Sequence, residues 1–397
     1  MKPIIIVGAG PVGLIAALRL SKLDIKSIII EQNEFVQSEL RASTFHPPTI
    51  EMLNELGIAE ELISVGLKTK RWQFRVHETG EKAVFDLGQI DKDTKYPFRL
   101  QVEQKELCRI ATKKAHTDKN IDLRMGHQLN ELTQNKERAK LNISDKGRGN
   151  YIVETPLVIA ADGGSSRIRS NMDLNFSGLT YPETTILVAT KFPFHEHLEG
   201  LSNVNYVWSN WGTFSLLRLP NMWRCSLYPD KNEQIEEAIK TQNIIKKLQR
   251  IVPGNNDFKL IEVRPYKIHQ RILDKYDHGR VVFAGDAAHL NSPSGGMGMN
   301  GGIHDAWCLS RKIADGLKRG DPISGLERYS KERQKIAKEE ILKNTDKNRS
   351  RMQERDKQAR INELSKLQEI ALDPRRAKEF LLRSSMISGL KGTEKDY

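Results

Sequence analysis

The sequence contains only three cysteines in 397 residues, Cys108, Cys225 and Cys308, and they lie far apart. Their spacing matches no metal-ligand motif and offers no disulfide framework, so we expect buried thiols in a reducing compartment and no bound metal. Long apolar runs are also missing, because no stretch approaches the roughly 20 residues that a membrane-spanning helix needs. The mean hydropathy of −0.54 is typical of a soluble globular protein.

A secretory leader is not evident either, because the first residues themselves form the first predicted strand. Residues 1–7 are an apolar, β-branched run that leads directly into a glycine-rich turn. Removal of a leader would destroy that turn, so we expect a cytoplasmic protein.

Acidic residues are outnumbered, 51 against 63 lysines and arginines, which gives a formal net charge of +12. A basic chain can bind nucleic acid or an acidic membrane surface. The basic residues are nevertheless dispersed and are not interleaved with aromatic side chains that could stack on bases. We therefore expect no nucleic-acid partner, and interpret the charge as a general attraction for anionic cofactors and substrates.

The first thirty residues have the pattern of a complete βαβ unit. The strand is followed by Gly8-x-Gly10-Pro11-Val12-Gly13, an apolar helical pattern, a second β-branched run and then Glu31. In such a unit the glycines allow a tight turn and close approach to a pyrophosphate, and the acid accepts hydrogen bonds from a ribose. A buried strand-turn-helix with no ligand is the alternative, but it does not explain the position of Glu31.

The rest of the chain indicates two interleaved domains and a helical tail. Residues 71–87 alternate as an antiparallel hairpin, residues 184–229 again have β patterns, and residues 327–366 have mixed charge at helical spacing. The predicted class is α/β, with a Rossmann-like domain that contains a mixed sheet and an α+β domain that contains an antiparallel sheet. The predicted limits are 1–70, 100–180 and 270–325 for the Rossmann-like domain, 71–99 and 181–269 for the second domain, and 326–397 for the C-terminal helices.

Two further motifs follow strands. One is Asp162-Gly163-x-x-Ser166-x-Ile168-Arg169, and the other is Gly285-Asp286-Ala287-Ala288-His289 with Pro293 and residues 295–300, Gly-Gly-Met-Gly-Met-Asn. Together with the first motif, they resemble the single-component FAD-dependent aromatic hydroxylases of the para-hydroxybenzoate hydroxylase type. The resemblance extends to about residue 310.

The resemblance implies that the first motif binds the ADP half of FAD. Further expected FAD contacts are Arg41, Gln104, Asp162, Asp286, Gly298, Met299 and Asn300. Arg169 is a candidate for contact with a nicotinamide nucleotide, although a structural salt bridge is an equally good interpretation. No second glycine fingerprint is present in the sequence, so NADH or NADPH is expected to dock transiently.

The reaction implied by the resemblance is hydroxylation of a small hydroxylated aromatic or N-heteroaromatic substrate by O2, through a flavin C4a-hydroperoxide. His46 is a candidate base, with simple packing before two prolines as the alternative. Pro293 is expected beside the flavin. Predicted strands above the substrate carry Tyr206 and Trp208 on one face, and Phe214 and Arg218 on a face shared with Leu216.

Three other expectations follow from the same resemblance. The acidic residues Glu34 and Glu39 near the cofactor disfavour a 2′-phosphate and so favour NADH. The tail is too short for the thioredoxin-like domain that relatives acting on bulky polyketides often carry, which favours a single-ring substrate. A homodimer is possible. The alternatives are a halogenase or reductase of the same fold, or a non-catalytic FAD-binding protein.

Overall fold

The N-terminal motif begins a parallel sheet that organises one half of the molecule. The computed structural model describes residues 2–145, 147, 149–254 and 257–390. In chain order, the described strands are β1 (Ile4–Val7), β2 (Ser27–Glu31), β3 (Thr44–Phe45), β4 (Leu67–Thr69), β5 (Arg71–Val76), β6 (Lys82–Asp86), β7 (Arg99–Gln101), β8 (Ile121–Met125), β9 (His127–Gln134), β10 (Ala139–Asp145), β11 (Gly149–Thr155), β12 (Val158–Ala160), β13 (Phe176–Thr190), β14 (Val204–Ser209), β15 (Gly212–Leu219), β16 (Met222–Leu227), β17 (Leu260–Leu273), β18 (Asp277–His278), β19 (Val281–Phe283) and β20 (His289–Leu290).

Helices connect and cover these strands. In chain order, the described α-helices are α1 (Pro11–Lys22), α2 (Pro47–Glu55), α3 (Ala59–Ser64), α4 (Gln104–Thr117), α5 (Arg167–Asn171), α6 (Phe194–His197), α7 (Ile235–Ala238), α8 (Thr241–Ile251), α9 (Gly298–Lys318), α10 (Leu326–Ile336), α11 (Lys343–Gln353), α12 (Lys357–Leu372) and α13 (Pro374–Ser384). Short 3-10 turns occupy Leu87–Ile90, Gly285–Ala287 and Pro322–Gly325, and a π-helical turn, Ala337–Leu342, joins α10 to α11.

The parallel sheet has six strands in the order β18-β19-β12-β1-β2-β8, and only its edge strand β18 runs antiparallel. The four residues of β1 are buried, as expected for a strand that is covered on both faces. Helices α1 and α9 pack against each other beside this sheet. A small antiparallel sheet, β11-β10-β9, is attached next to it.

The second large sheet has eight strands in the order β20-β17-β13-β16-β15-β14-β5-β6. It is antiparallel except where β14 and β5 pair in parallel. The predicted hairpin is confirmed, since β5 and β6 pair with Trp72 opposite Phe85. The predicted fold class is therefore confirmed: a Rossmann-like unit with a mixed sheet, a largely antiparallel second sheet and C-terminal helices. The residue limits of the two domains stay a prediction.

Two helix boundaries follow from local sequence. Helix α2 begins at Pro47, and a proline in the first turn loses no intrahelical hydrogen bond, so Pro47 and Pro48 both fit there. Helices α7 and α8 are separate, with residues 239 and 240 between them.

The charged tail packs on the antiparallel sheet rather than lying in solvent alone. Leu364, Leu367 and Leu381 of α12 and α13 are buried in one cluster with Trp72 and Phe85. The predicted tail segment reaches residue 397, and its last seven residues lie outside the described part of the chain. No helix in the described ranges is long and apolar enough to cross a membrane.

Candidate active site

The turn between β1 and α1 has the backbone that its three glycines predict. Gly8 has φ +107°, and a Cβ there would lie 2.3 Å from the carbonyl oxygen of Ala161. A Cβ on Gly13 would lie 1.9 Å from the carbonyl oxygen of Gly8, so helix and strand are in close contact. Around Gly10, by contrast, a Cβ would meet no atom within 4 Å. Only Gly10 therefore leaves open space on the side where a ligand can approach the backbone.

Glu31 ends β2 beside this turn and is held by backbone donors. The amide N–H of Ala9 donates to Oε2 at 2.8 Å, and that of Asn33 donates to Oε1 at 2.9 Å. These bonds place a carboxylate at the mouth of the turn, where it can accept further hydrogen bonds from a ribose diol.

A cavity of about 510 Å³ opens in front of this turn. Six of the residues expected to contact FAD line it: Gly8, Gly10, Glu31, Arg41, Gln104 and Asp162. Pro11 is the first residue of α1, and Val12 packs against the next loop, where a Cβ on Gly285 would lie 2.7 Å from its Cγ2. The structure thus brings together residues from five separate stretches of sequence.

Asp162 and Arg169 belong to the second motif. Asp162 accepts the Ile168 N–H through Oδ2 at 3.2 Å, while Oδ1 is buried without a partner. Burial raises the pKa of this carboxyl. Arg169 is buried and donates to the carbonyls of Ala287 (3.0 Å) and Gly164 (2.6 Å). These bonds join the second motif to the third, and the contact of Arg169 with a nicotinamide stays a prediction.

Asp286 is exposed in the turn after β19, and a buried network fixes the backbone of that turn. The N–H of Gly285 donates to Oδ2 of Asp305 at 3.0 Å, and His289 Nε2 lies 2.8 Å from the same oxygen. Arg333 Nε donates to Oδ1 at 2.6 Å. Although burial opposes ionisation, Arg333 and His289 lower the pKa of Asp305 to about 2. Helix α10 thereby positions the turn that presents Asp286.

The glycine-rich loop of the third motif leads into α9, as predicted. Gly298 starts the helix, and its first intrahelical bond is made by the N–H of Gly301, so the preceding N–H groups have no acceptor in the helix. The buried Asn300 side chain accepts the His46 N–H at 2.9 Å and donates to the Gly296 carbonyl at 2.7 Å. Pro293 is exposed at the start of this loop.

His46 is fully buried next to the same loop. Its Nε2 lies 2.9 Å from the carbonyl oxygen of Gly295, and Nδ1 has no partner. A carbonyl can only accept, so Nε2 carries the proton in the neutral ring. Burial and the nearby Arg99 lower the pKa of His46 to about 3. The imidazole is therefore neutral at physiological pH and holds Gly295 in place.

The antiparallel sheet separates the four expected substrate residues into two groups. Tyr206 stacks on Phe74 with ring centroids 5.1 Å apart, on the face towards His46 and Gly295. Trp208 lies on that face too, and its Nε1 donates to the Arg351 carbonyl at 2.9 Å.

Phe214 and Arg218 do not lie with Tyr206. Phe214 is buried on the opposite face, against Trp211 and the apolar side of α8. Arg218 shares that face by strand alternation and lowers the pKa of His195 in combination with burial. Side chains alternate between the two faces of a strand, so those at positions 214 and 218 of β15 point away from the face that carries Tyr206.

Two arginines on the cofactor side were not anticipated from sequence. Arg99 is buried beside Tyr206, and Arg224 donates to Ser43 Oγ at 2.8 Å. Arg224 alternates with Trp223 and Cys225, which lie in the opposite core, and this pattern could have indicated a polar position facing the other way. For Arg99, no local pattern marks the residue, because its neighbours Trp72, His46 and Tyr206 lie 27, 53 and 107 residues away in sequence.

The residues present fit FAD. The open face of Gly10 and the unpartnered Oδ1 of Asp162 lie in one cavity, whose lining does not include Asp286 or residues 298–300. Asp286 is exposed in the turn that packs against Val12 at the start of α1. A dinucleotide needs these features: close approach for the pyrophosphate and acceptors for its hydroxyl groups.

Comparison with known proteins supports the same cofactor. The family model described as FAD binding domain matches residues 1–345. The chain is 29% identical to para-nitrophenol 4-monooxygenase of Pseudomonas sp. strain WBC-3, with 99% of this chain and 97% of that protein covered. It is also 29% identical to 6-hydroxy-3-succinoylpyridine 3-monooxygenase HspB of Pseudomonas putida strain S16, covering 77% and 78%.

Among solved structures, p-nitrophenol 4-monooxygenase PnpA from Pseudomonas putida DLL-E4 is similar with a TM-score of 0.91 and 27% identity, covering 99% of both chains. The anhydrotetracycline hydroxylase OxyS from Streptomyces rimosus shares the fold, with a TM-score of 0.78 and 24% identity over 97% of this chain and 75% of that one. The resemblance seen in the three motifs is therefore confirmed, and the chain belongs to the FAD binding domain family, as one of its FAD-dependent aromatic hydroxylases.

Proposed function

We propose that the protein uses NAD(P)H and O2 to hydroxylate a small phenol or hydroxylated N-heteroaromatic compound. The proposal rests on the contact between the loop that precedes α9 and the antiparallel sheet. The Gly295 backbone, which continues into α9, lies next to both His46 and the Tyr206 hydroxyl. A ring held there would lie between the flavin side and an aromatic sheet face. The relatives named for activity on p-nitrophenol and on a hydroxypyridine support this substrate size.

FAD, when bound, supplies the redox chemistry with O2 and the nicotinamide. The protein contributes binding and charge placement. Glu31 and Asp162 would hold the ADP half, with Arg41 and Gln104 at its sides. Asp286 would accept from the ribityl hydroxyls. The free N–H groups at the start of α9 would stabilise negative charge at the pyrimidine end.

We expect residues of the tail to cover the sheet face where we place the substrate and to exclude water from it. The Trp208 indole donates to the Arg351 carbonyl, and the Thr213 hydroxyl donates to the Met352 carbonyl at 2.6 Å. These bonds hold the end of α11 over strands β14 and β15. Exclusion of water strengthens the electrostatic interactions in the site and protects reactive species.

We propose a positioning role for His46 and not that of the base. A buried neutral imidazole with a pKa of about 3 accepts a proton poorly at neutral pH. Its bond to Gly295 instead fixes the loop that borders the cofactor. Pro293 and Tyr206 complete the proposed substrate side, while Phe214 and Arg218 are left out because of the sheet face they occupy.

For the reductant we favour NADH, on the acidic character of the loop that contains Glu34 and Glu39. The structure weakens this argument, because Glu39 pairs with Arg41 at 3.2 Å and with Arg264 at 3.5 Å. Steady-state oxidation of NADH and NADPH by the same preparation decides the point. A higher kcat/KM for NADPH would reverse the assignment. The cytoplasmic location and the homodimer also stay predictions.

One assay tests the proposed function. The purified holoenzyme is examined for a flavin spectrum, and NADH oxidation is followed with and without phenols and hydroxypyridines. Ligand-stimulated oxidation with one atom of 18O2 in the product supports the proposal. Flavin-bound protein that oxidises NADH without hydroxylated product indicates a reductase, and product halogenation indicates a halogenase. Bound flavin with no turnover indicates a non-catalytic FAD-binding protein.

A further inference from the structure

Phe35 is a large apolar side chain that lies exposed at the cavity in front of the β1–α1 turn. It is 77% exposed, although it is one of the residues that line this cavity. Among the described residues it belongs to none of the hydrophobic clusters. A single exposed apolar residue is common on a protein surface, but an aromatic one that lines a ligand cavity gains a partner when the ligand is apolar and planar.

The loop that carries Phe35 is held in place on both sides of that residue. Before it, the Asn33 carbonyl accepts the Gly126 N–H at 3.0 Å, and the Asn33 side chain donates to Oε1 of Glu31 at 2.6 Å. After it, Nε2 of Gln37 donates to the Phe35 carbonyl at 3.3 Å. These bonds anchor the loop on β2 and on the turn between β8 and β9. Little freedom therefore remains to be lost when the ring contacts a ligand.

The end of the cavity beyond Glu31 has several apolar side chains. In the placement proposed above, Glu31 binds the ribose of the ADP half, so the base lies beyond that carboxylate. Met125 is the register partner of Glu31 on β8, and it lines the cavity together with Leu129 and Phe35. Cys108 lines it too, and burial raises the pKa of that thiol to about 12, which keeps it uncharged. This end of the cavity suits an uncharged aromatic ring.

On the basis of the FAD placement in the proposed function, we infer that the Phe35 ring packs on the face of the FAD adenine. Every base has a π-face, and stacking on an aromatic side chain is worth roughly 5- to 100-fold in affinity. FMN ends at its phosphate and has no adenine, so Phe35 contributes nothing to its binding. Phe35 thereby determines the preference of this protein for FAD over FMN.

The test compares FAD with FMN on the full-length protein. Dilution of the holoenzyme gives the rate of FAD release, and titration of the deflavinated protein gives the dissociation constants of both flavins. Phe35→Ala should weaken FAD binding roughly 5- to 100-fold and leave FMN affinity within about twofold. Phe35→Tyr should keep the FAD affinity of the unmodified protein. Phe35→Leu, which keeps an apolar side chain without a ring, should fall between the two.

Leu372→Ala is the matched control, because Leu372 is 83% exposed but ends α12 and does not line the cavity. It should leave both dissociation constants unchanged. A second measurement follows the accessibility of position 35. The thiol introduced by Phe35→Cys should react readily with a thiol reagent in deflavinated protein, and FAD but not FMN should protect it. The unmodified protein supplies the baseline, since its own cysteines are buried or half-buried.

Three outcomes would overturn the inference. They are unchanged FAD affinity in Phe35→Ala, an equal loss of affinity for FAD and FMN, and a thiol at position 35 that FAD does not protect. An equal loss for both flavins would assign Phe35 to the shape of the loop around Glu31. Any of these results with continued hydroxylation leaves the proposed function intact. Unmodified protein that takes up neither flavin would overturn the proposed function as well.

Discussion

The imidazole Nε2 of His46 lies 2.9 Å from the carbonyl oxygen of Gly295, and this bond joins the start of α2 to the loop that precedes α9. The two residues are 249 positions apart in the sequence. Gly295 has φ +104°, a backbone conformation that residues with side chains rarely adopt. The hydrogen bond from His46 holds the loop in this conformation.

Loss of this bond should slow turnover without releasing the cofactor. We expect His46→Ala and His46→Asn to lower kcat roughly 10- to 100-fold, because a loop displaced by a fraction of an ångström misaligns the ring and the flavin. FAD retention should stay near that of the unmodified protein. Unchanged kcat in both variants would remove His46 from the mechanism. If the unmodified protein shows a pH dependence of kcat near 6.5 and both variants lose it, His46 would be restored as a base.

Acid should destabilise the protein through two buried histidines. His46 and His304 both have a pKa lowered to about 3, chiefly by burial. The unfolded chain binds protons near pH 6.5 and the folded protein does not, so stability is full above pH 6.5 and falls as the pH approaches 3. At pH 5 the loss is about 2 kcal/mol per histidine.

The measurement is the urea midpoint of each variant at pH 7 and at pH 5. His46→Asn and His304→Asn should each show a smaller drop between the two pH values than the unmodified protein. His116→Asn, at an exposed position of α4, is the control and should show the full drop. An equal drop in every variant would mean that these imidazoles are charged in the folded state.

Two glycines of the first motif should respond in opposite ways to the same substitution. Gly10 has φ −73° and open space around its Cβ position, so Gly10→Ala should keep the melting temperature but weaken FAD binding about tenfold or more. Gly13→Ala places a methyl group against the Gly8 carbonyl and should cost about 3 kcal/mol or more of stability. Equal FAD affinity in Gly10→Ala and the unmodified protein would place the pyrophosphate elsewhere.

Asp286 should matter for the cofactor and little for stability, since its side chain is exposed. Asp286→Ala removes an ionised acceptor whose hydrogen bonds contribute about 1.5–3 kcal/mol, so FAD affinity should fall roughly 10- to 100-fold. Fluorescence titration of the deflavinated protein measures the change. Asp315→Asn in α9, which removes a surface pair with Arg311, is the control with normal affinity. Wild-type affinity in Asp286→Ala would contradict the assigned contact.

The parts of the site that could be predicted are those formed by neighbours in sequence. Each of the three motifs is a strand, a turn and the start of a helix. The positive φ of Gly8 and the contact of Gly13 with the Gly8 carbonyl lie within one turn, whereas the contact of Gly8 with Ala161 joins two motifs. Strand alternation also predicted that Tyr206 and Trp208 share one face and that Phe214 and Arg218 share the other. What alternation cannot supply is which of the two faces is turned towards the cofactor.

The sequence by itself determined the cofactor, the family and the local geometry of the turn from residue 8 to residue 13, because steric limits on glycine act over a few residues. Only the tertiary structure decided how Arg99, His46 and Tyr206 meet. They lie on β7, before α2 and on β14, and a contact between such distant segments depends on the register and packing of two sheets. The charge around these three residues is set by that packing, because burial keeps His46 neutral and leaves the Nε of Arg99 without a hydrogen-bond partner.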